Sequence, residues 1–506
     1  MTRPTLARFL QQAKPESSLG SVLGYFSPGG LHLEVLIDPE TDSESNRIQM
    51  LGTLLHERVH WLQHVGTSVG LFSSYLTTLQ TNALVGENWA KVLPEMRLPL
   101  LEDERVSPDR RALWLACEAQ SVAIFGGERA YFEEVARHGA RFEREAISRY
   151  IRKIAEDVIG DPPPEWIALQ DAIWSRATFS GDAGNFVQHR GSALGATHLM
   201  EAAARVNEVF KLAEYRERYS VSLMGAFAGE YGVAREVFYD LSGAPESAES
   251  EMVLCVLADW ALMTLLPPVF PLIGDEPRAV ITPAHAFVAL ARNYDPSVVP
   301  KATEGQAVRF ADELALALYR DITERVDFPS PLEAAQVTEK ILEPLARLTV
   351  PELMYSAGEQ PGLPEAKGPL ARLRYLSWLA LRACKTRREH PAFFALPISY
   401  YHQDRAFFHA LFDPIQPPLW SFPGRRLMPT RDDPDWLGFF FSFAVSQDAL
   451  AAAAYCEAPA IGRRLGEFRG TSLHPDNEAV LVRTGIGAVF GESPMAEEIF
   501  AAWQRT

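Results

Sequence analysis

The apolar positions between residues 48 and 66 recur every three or four residues, which is the spacing of one face of an α-helix. This stripe consists of Ile48, Leu51, Leu55, Val59 and Leu62. At about 100° per residue, the opposite face carries Thr53, His56, His60, Gln63 and His64, with Glu57 at its margin. Candidate N-caps precede the stripe at Asp42, Ser43 and Ser45. The pattern therefore predicts an amphipathic helix that stops at Gly66.

The rest of the chain shows mainly helical patterns. Residues 31–37 alternate imperfectly between apolar and polar side chains before Asp38-Pro39, and this predicts a short strand. Pro-rich stretches at 160–164, 266–271 and 413–418 interrupt the helical patterns and predict loops or boundaries. We therefore predict a predominantly α protein with a small β component. A chain of 506 residues is longer than one hydrophobic core usually serves. We therefore divide it into four parts, at 1–160, 165–265, 266–410 and 411–506.

Residues 389–436 combine prolines, aromatic side chains and three histidines with few helical signals. Such a long irregular segment predicts either a lid over a cleft or a surface wrap whose aromatic side chains pack inward. Beyond it, the apolar runs at 436–445 and 449–455 predict buried helices.

The first candidate for a functional site is the HExxH motif on the predicted helix, which consists of His56-Glu57-Arg58-Val59-His60. Two histidines four residues apart project from neighbouring turns and can bind one metal ion, while the Glu can reach a water bound to it. A chance match in a chain of this length has a likelihood of roughly two in a hundred. The alternative interpretation is a solvated face, with His60 bonded to a nearby carbonyl.

A metal site needs a third ligand, and Glu201 is the first candidate. It lies in an Ala-rich helical stretch at 195–208, on one face with His198, Arg205 and Glu208. His198 is an alternative ligand. An ordinary surface pair between Glu201 and Arg205 is the interpretation without metal.

Two other residues compete for the same role. Glu118 lies inside a mostly apolar run and would need a partner there, as a metal ligand or in a pair with Arg. On an unbroken helix His64 lies roughly 12 Å along the axis from His56, too far for the same ion. We expect His64 in the core or behind the ligands.

A strand, an HExxH helix and a later Glu-bearing helix together resemble the gluzincin group of zincin metallopeptidases. The resemblance is limited to the motif helix and the helix of Glu201. It implies a zincin-like core within a larger helical protein, Zn²⁺ held by His56, His60 and Glu201, and a peptide or small amide substrate. In zincins the preceding strand is an edge strand that holds the extended substrate.

The resemblance also implies that Glu57 removes a proton from water and delivers it to the leaving nitrogen. A further donor should face the oxyanion, and His198 is the first candidate. The alternatives for that donor are His189, Arg190, Tyr231 and Tyr239.

The same residues permit redox chemistry. Glu57 and His60 form an ExxH motif of the kind that helical di-iron proteins use, with Glu118 or the His198/Glu201 pair as the other half. His56, His60 and Glu201 also match the facial triad that binds Fe²⁺ in oxygenases. A third alternative is a helical interaction protein in which the motif is inert.

The composition of the chain limits the kinds of partner that we expect it to bind. A net charge of −17 argues against a nucleic-acid partner, because phosphate binding needs concentrated Lys and Arg. Short basic runs such as Arg387-Arg388 predict solvated loops. The N-terminus lacks a secretory signal, the apolar segments are shorter than a membrane span, and four dispersed cysteines predict free thiols. These features predict a cytoplasmic protein without a membrane partner and leave its oligomeric state open.

Overall fold

The computed structural model describes residues 24–27, 32–36, 44–74, 93–107, 110–111, 114, 187–219, 227, 229–263, 282–299, 307–349, 370–415, 419–422, 426–428, 434–468 and 475–506. These residues form a predominantly α structure with little β, as the sequence predicts. Glu118 and the Pro-rich stretches at 160–164 and 266–271 lie outside the described residues.

The helices that bear on the site are α1 (Glu44–Gly66), α2 (Ala196–Tyr219), α3 (Glu230–Ser242), α4 (Ala248–Met263) and α5 (Pro283–Asn293). They are followed by α6 (Ala307–Thr323), α7 (Pro331–Thr349), α8 (Leu370–Glu389) and α9 (Arg405–Phe412). The C-terminal helices are α10 (Pro434–Ala453), α11 (Ala458–Leu465), α12 (Pro475–Phe490) and α13 (Pro494–Gln504). The two apolar runs after residue 436 thus belong to one helix, α10, which is buried from Phe441 to Ser446.

Helix α1 runs to Gly66, where the sequence predicts its end. Leu55, Val59 and Leu62 of the apolar stripe are fully buried. The polar face is buried as well, because α1 packs against α2 on one side and against α8 and the sheet on others. Buried polar side chains need hydrogen-bond partners, so the histidines of this face must have polar groups around them.

Four strands form a mixed sheet in the order β1 (Gly24–Ser27), β2 (His32–Leu36), β5 (Leu419–Phe422) and β6 (Arg426–Met428). The strands β3 (Val187–His189) and β4 (Ser192–Leu194) form a separate antiparallel pair. β2 is antiparallel to β1 and parallel to β5. The strand before the motif helix is therefore internal, and the edge strand expected from the zincin resemblance is wrong for β2. Both of its hydrogen-bonding edges are occupied, so β2 itself cannot pair with an added strand. The edges of this sheet are β1 and β6.

Residues 390–401 form a series of turns that enters the core rather than covering it. Phe393, Phe394 and Tyr401 are at most 1% exposed, so the aromatic side chains of this part of the 389–436 segment pack inward, as the second alternative predicts, although residues 391–399 are themselves buried instead of lying on the surface. Asn207 of α2 makes the burial possible by accepting from the backbone N–H groups of Ile398 and Ser399 and donating to the carbonyl of Ala395.

A buried ion pair fixes the C-terminal end of α1. Arg387 of α8 binds Asp259 of α4 at 2.9 Å (Nη2 to Oδ1) and donates to the Gly66 carbonyl at 2.9 Å. The predicted solvated loop at Arg387-Arg388 is wrong, because both residues lie on α8 and Arg387 is 1% exposed. The cation of Arg387 is tolerated inside the protein because Asp259 balances its charge and the Gly66 carbonyl, which has no partner within the helix, accepts its hydrogen bond.

The β2–β5 pairing joins the first and last of the four predicted parts of the chain. That division stays a prediction. Cys255 and Cys384 are buried free thiols, as expected, and Cys117 lies outside the described residues. Within the described residues, no helix is both long and apolar enough to cross a membrane.

Candidate metal centre

Three ligand atoms from α1 and α2 converge on one point. His56 Nε2 lies 3.0 Å from His60 Nε2 and 3.2 Å from an Oε2 atom of Glu201, and His60 Nε2 lies 3.3 Å from the same oxygen. Among the described residues this is the one group of three His, Cys, Asp or Glu side chains with metal-binding spacing. The structure thus brings together the three residues that the sequence proposes as ligands.

The other ring nitrogen of each histidine is held by an acceptor. His56 Nδ1 lies 3.1 Å from Glu208 Oε2, and His60 Nδ1 lies 3.0 Å from Gln63 Oε1. Gln63 is oriented in turn by donating its amide to the Met200 carbonyl. When each Nδ1–H donates outward, each Nε2 presents a lone pair to the convergence point. Such outer acceptors are the usual partners of metal-bound histidines.

Arg205 completes the outer arrangement. Its Nη1 lies 2.7 Å from Glu208 Oε2, three residues along α2. Arg205 thus pairs with Glu208, whereas the interpretation without metal pairs it with Glu201. Glu201 is left to face the two histidines. The guanidinium carbon also lies 5.6 Å from the centre of the Tyr231 ring.

The spacing of the three atoms suits a small divalent ion. Zinc bonds to imidazole nitrogen and carboxylate oxygen of about 2.0–2.2 Å give tetrahedral ligand-to-ligand separations of about 3.3–3.5 Å. The observed separations of 3.0–3.3 Å are slightly shorter. Two lone pairs and a carboxylate oxygen this close repel one another unless a cation or a proton lies among them. The donor set and its spacing therefore fit a metal ion.

Without a metal ion, a proton on His56 stabilises the cluster, and the pKa shifts of His56 and Glu201 show why. Burial disfavours the charged form of His56, but hydrogen bonds to Glu201 and Glu208 and the charge of Glu57 outweigh it and raise its pKa to about 10. Burial also opposes ionisation of Glu201, yet the charges and hydrogen bonds of His60 and His56 hold its pKa well below its usual range. The cluster thus attracts positive charge strongly.

Glu57 and His64 occupy different positions relative to the cluster. Glu57 is 6% exposed, and its charge acts on the adjacent His56, but it is not one of the three convergent groups. His64 is buried one turn beyond His60, and its Nε2 lies 2.9 Å from Ser74 Oγ. As the helix rise predicts, His64 lies in the core outside the three-atom cluster.

The structure also places the candidate oxyanion donors. His198 is half-buried, and its Nδ1 accepts from the Gly195 N–H at 3.1 Å. His189 and Arg190 both bind Asp240, at 2.6 and 2.9 Å, and Tyr239 donates to Glu251.

Tyr231 is the candidate donor beside the cluster, with its ring centre 5.8 Å from that of His56. Burial first, and then the charges of Glu201 and Glu230, raise its pKa to about 12. Tyr231 therefore remains a phenol, and a hydrogen-bond donor, at neutral pH.

Sequence reasoning placed Glu208 on the face of Glu201 but gave it no role. Its position seven residues after Glu201, two helical turns along the same face, is the feature that marks it. Gln63 and Tyr231 acquire their places only through packing. Comparison with known protein families, curated proteins and solved structures finds no match for this chain.

Proposed function

We propose that this protein is a zinc-dependent hydrolase that cleaves an amide bond in a peptide or a small amide. The observation that carries the proposal is the convergence of His56 Nε2, His60 Nε2 and Glu201 Oε2 within 3.3 Å. The outward bonds of both Nδ1 atoms, to Glu208 and Gln63, support it because they leave the two Nε2 atoms as ligands.

A zinc ion held there supplies a Lewis acid that polarises a substrate carbonyl and makes water more acidic. Glu57 is the general base of this proposal, because it is buried directly beside His56. Glu57 removes one proton from the attacking water as its oxygen bonds to the carbonyl carbon. It returns that proton to the nitrogen as the C–N bond breaks, so the products are a carboxylic acid and an amine.

Tyr231 is the donor we assign to the developing oxyanion. Its ring packs edge-on against His56, and its raised pKa keeps the hydroxyl protonated. His198 remains the alternative donor from the sequence, at the first turn of the helix that carries Glu201.

Iron chemistry is the second candidate, since two histidines and one carboxylate also form the facial triad of Fe²⁺ oxygenases. Glu57 favours hydrolysis over that alternative, because a facial triad requires no buried carboxylate next to its first histidine. A di-iron centre would use Glu57 as a ligand, and among the described residues Glu57 is outside the convergent group.

Metal analysis of the purified protein tests the proposal first. We expect one zinc per chain, removed by a chelator and restored with zinc alone. One or two irons per chain would support an iron redox enzyme instead of a zinc hydrolase. A chain that binds neither metal after supplementation would support the helical interaction protein with an inert motif.

The variant Glu57→Gln separates binding from catalysis. We expect it to retain zinc and to lose hydrolysis of a peptide or amide library by at least about 10²-fold, the lower range for a general base. Glu236→Gln, an exposed change on α3, is the control and should leave turnover unchanged. Loss of metal in Glu57→Gln would identify Glu57 as a ligand and contradict the assignment.

A further inference from the structure

Arg205 links the carboxylate behind His56 to the tyrosine beside it. Its Nη1 atom lies 2.7 Å from Glu208 Oε2, and the same oxygen lies 3.1 Å from His56 Nδ1. The guanidinium carbon of Arg205 lies 5.6 Å from the centre of the Tyr231 ring. That ring packs edge-on against His56, with centres 5.8 Å apart and planes at 81°. The four side chains therefore form a closed series of contacts that joins α1, α2 and α3.

Glu208 is confined by the helix against which it packs. A Cβ atom at Gly52, one turn before His56 on α1, would lie 3.2 Å from Glu208 Oε1 and 3.0 Å from Leu212 Cδ1. The side chain of Glu208 is 10% exposed. Its carboxylate thus lies against both Gly52 and the His56 ring, and it has little room to rotate. Glu208 is therefore a fixed anchor for Arg205.

The guanidinium of Arg205 lies between this anchor and an aromatic ring. A guanidinium is planar, so it can bond a carboxylate along one edge while its charge attracts the π electrons of a neighbouring ring. The side chain of Arg205 is 24% exposed, and such an attraction is stronger at a partly desolvated site than at an exposed one. Arg205 is thus held by Glu208 and in turn holds Tyr231.

Tyr231 lies where α3 gives it little support of its own. It is the second residue of this helix, and Gly229 is the N-cap. Glycine has no side chain to accept from the free N–H groups of the first turn, as Ser, Thr, Asp or Asn would. The ends of helices are also where they fray. The orientation of Tyr231 therefore depends on its contacts with His56 and Arg205.

We propose that Arg205 is the positioning residue for Tyr231, and that it aims the Tyr231 hydroxyl at the developing oxyanion. Arg205 acts through Tyr231 and does not itself take part in the reaction. The inference rests on the proposed function, because it gives the Tyr231 hydroxyl its role. It adds a division of labour on α2: Glu208 serves the ligand His56, whereas Arg205 serves the donor.

The variant Arg205→Met separates this role from a structural one. It keeps a stem of similar length and removes the guanidinium, and kcat should fall at least about ten-fold with KM nearly unchanged, because the donor acts only in the transition state. Zinc affinity, measured by competition with a chelator, should be no weaker than in the wild type, because Glu208 keeps its bond to His56. A merely structural role would weaken zinc binding together with kcat.

Two companion variants control for folding and charge. Arg205→Lys keeps the charge but not the planar group, so its kcat should lie between those of the wild type and Arg205→Met. Arg309→Met removes an exposed arginine of α6 that pairs with Glu313, and it should leave kcat unchanged. Equal kcat values in Arg205→Met and the wild type would overturn the proposal.

A double-mutant cycle shows whether Arg205 acts through the Tyr231 hydroxyl. Tyr231→Phe keeps the ring and should lower kcat about 10²-fold, as the loss of an oxyanion donor does. Arg205→Met should then cause little further loss in the Tyr231→Phe background, because the two changes remove the same interaction. The same fold-loss in both backgrounds would show that Arg205 acts elsewhere and would refute its assignment.

A measurement without substrate separates this inference from the proposed function. The nuclear Overhauser effect between the ring protons of His56 and Tyr231, recorded on the metal-free protein, should lose intensity in Arg205→Met and keep it in Arg309→Met. Unchanged intensity in Arg205→Met would overturn the positioning role, whatever the activity. Lost intensity in a protein that hydrolyses no amide would support the placement of Tyr231 by Arg205 and overturn the hydrolase alone.

Discussion

His56 uses both ring nitrogens, and this double use explains why Glu208 matters. Nε2 faces the convergence point, whereas Nδ1 lies 3.1 Å from Glu208, which Arg205 holds at 2.7 Å. This relay orients the ring and increases its basicity as a ligand. At the residue scale, zinc affinity should therefore depend on a carboxylate that does not face the metal position.

The substitution Glu208→Ala should weaken zinc binding about 10–100-fold, because His56 loses the acceptor that fixes its tautomer. Competition with a chromophoric chelator measures the affinity, and a melting curve checks that the variant is folded. Glu236→Ala, on the exposed side of α3, is the matched control. Wild-type affinity in Glu208→Ala would show that the relay has no part in binding.

The proton on His56 gives a pH prediction for the metal-free protein. Because its pKa is raised to about 10, the ring should be doubly protonated at pH 7.5, whereas burial lowers the pKa of His198, which should be neutral there. Zinc must displace that proton, so its affinity should rise about ten-fold per pH unit between about pH 7 and 9.

Ring resonances of the two histidines, followed by NMR against pH, test the assignment. The sign for stability follows from the raised pKa. The contribution of His56 to the metal-free fold is complete below its ordinary value of 6.5 and is lost as the pH rises through about 10. The melting temperature of the metal-free protein should fall over that interval. A His56 ring that titrates near 6.5 would refute this account.

At the scale of the element, α1 is positioned by how it ends. A further helix begins at Ser68, and Thr67 between the two helices accepts from the Gly70 N–H. Gly66 lies against the ring of Phe394, over which Arg387 stacks at 4.7 Å. A side chain at Gly66 would meet that ring, so the end of the helix that carries the HExxH motif requires glycine for space.

Gly66→Ala should lower the free energy of unfolding by about 1–3 kcal/mol, because the new methyl group collides with Cδ1 and Cε1 of Phe394. Gly487→Ala on α12 is the matched control. It has nothing within 4 Å of the new Cβ, and we expect it to stabilise the protein by about 0.5–1 kcal/mol. Urea denaturation measures both changes. A Gly66→Ala protein as stable as the wild type would show that Phe394 moves aside freely.

At the scale of the molecule, distant segments meet around α1. The sheet before it pairs β2 with β5, nearly four hundred residues later, and the ion pair at its end joins α4 to α8. The turns at 390–401 fill the space beside α2 through Asn207. The segments that pack around the candidate metal centre thus come from most of the described chain.

Neighbouring arginines on α8 test the buried pair. Arg387→Met leaves Asp259 charged and buried and should cost about 3–5 kcal/mol of unfolding free energy. Arg388→Met removes an exposed partner of Glu339 and should cost less than about 1 kcal/mol. Both values come from chemical denaturation.

The double change Arg387→Met with Asp259→Val should recover at least half of the loss, because no unpaired charge remains inside. A double variant no more stable than Arg387→Met would show that the hydrogen bond from Arg387 to Gly66 matters more than the charges.

The sequence by itself determined the helix that ends at Gly66, the helical character of the chain and the grouping of Glu201 and Glu208 on one face. These are local properties, set by periodicity and by stop signals within a few turns. It also supplied His56 and His60 as candidate ligands and put Glu201 first for the third position, with His198 and Glu118 left as alternatives.

Only the tertiary structure decided that His56 meets Glu201 and Glu208, which lie 145 and 152 residues away. It also made β2 an internal strand, buried Arg387 and placed Tyr231 beside the histidines. Such contacts depend on how helices and strands pack together. The free energy of packing comes from residues that are distant in the sequence, and no local pattern of side chains identifies them. The HExxH motif places two candidate ligands on one helix, whereas the meeting with the third candidate and with its supporting residues comes from the fold.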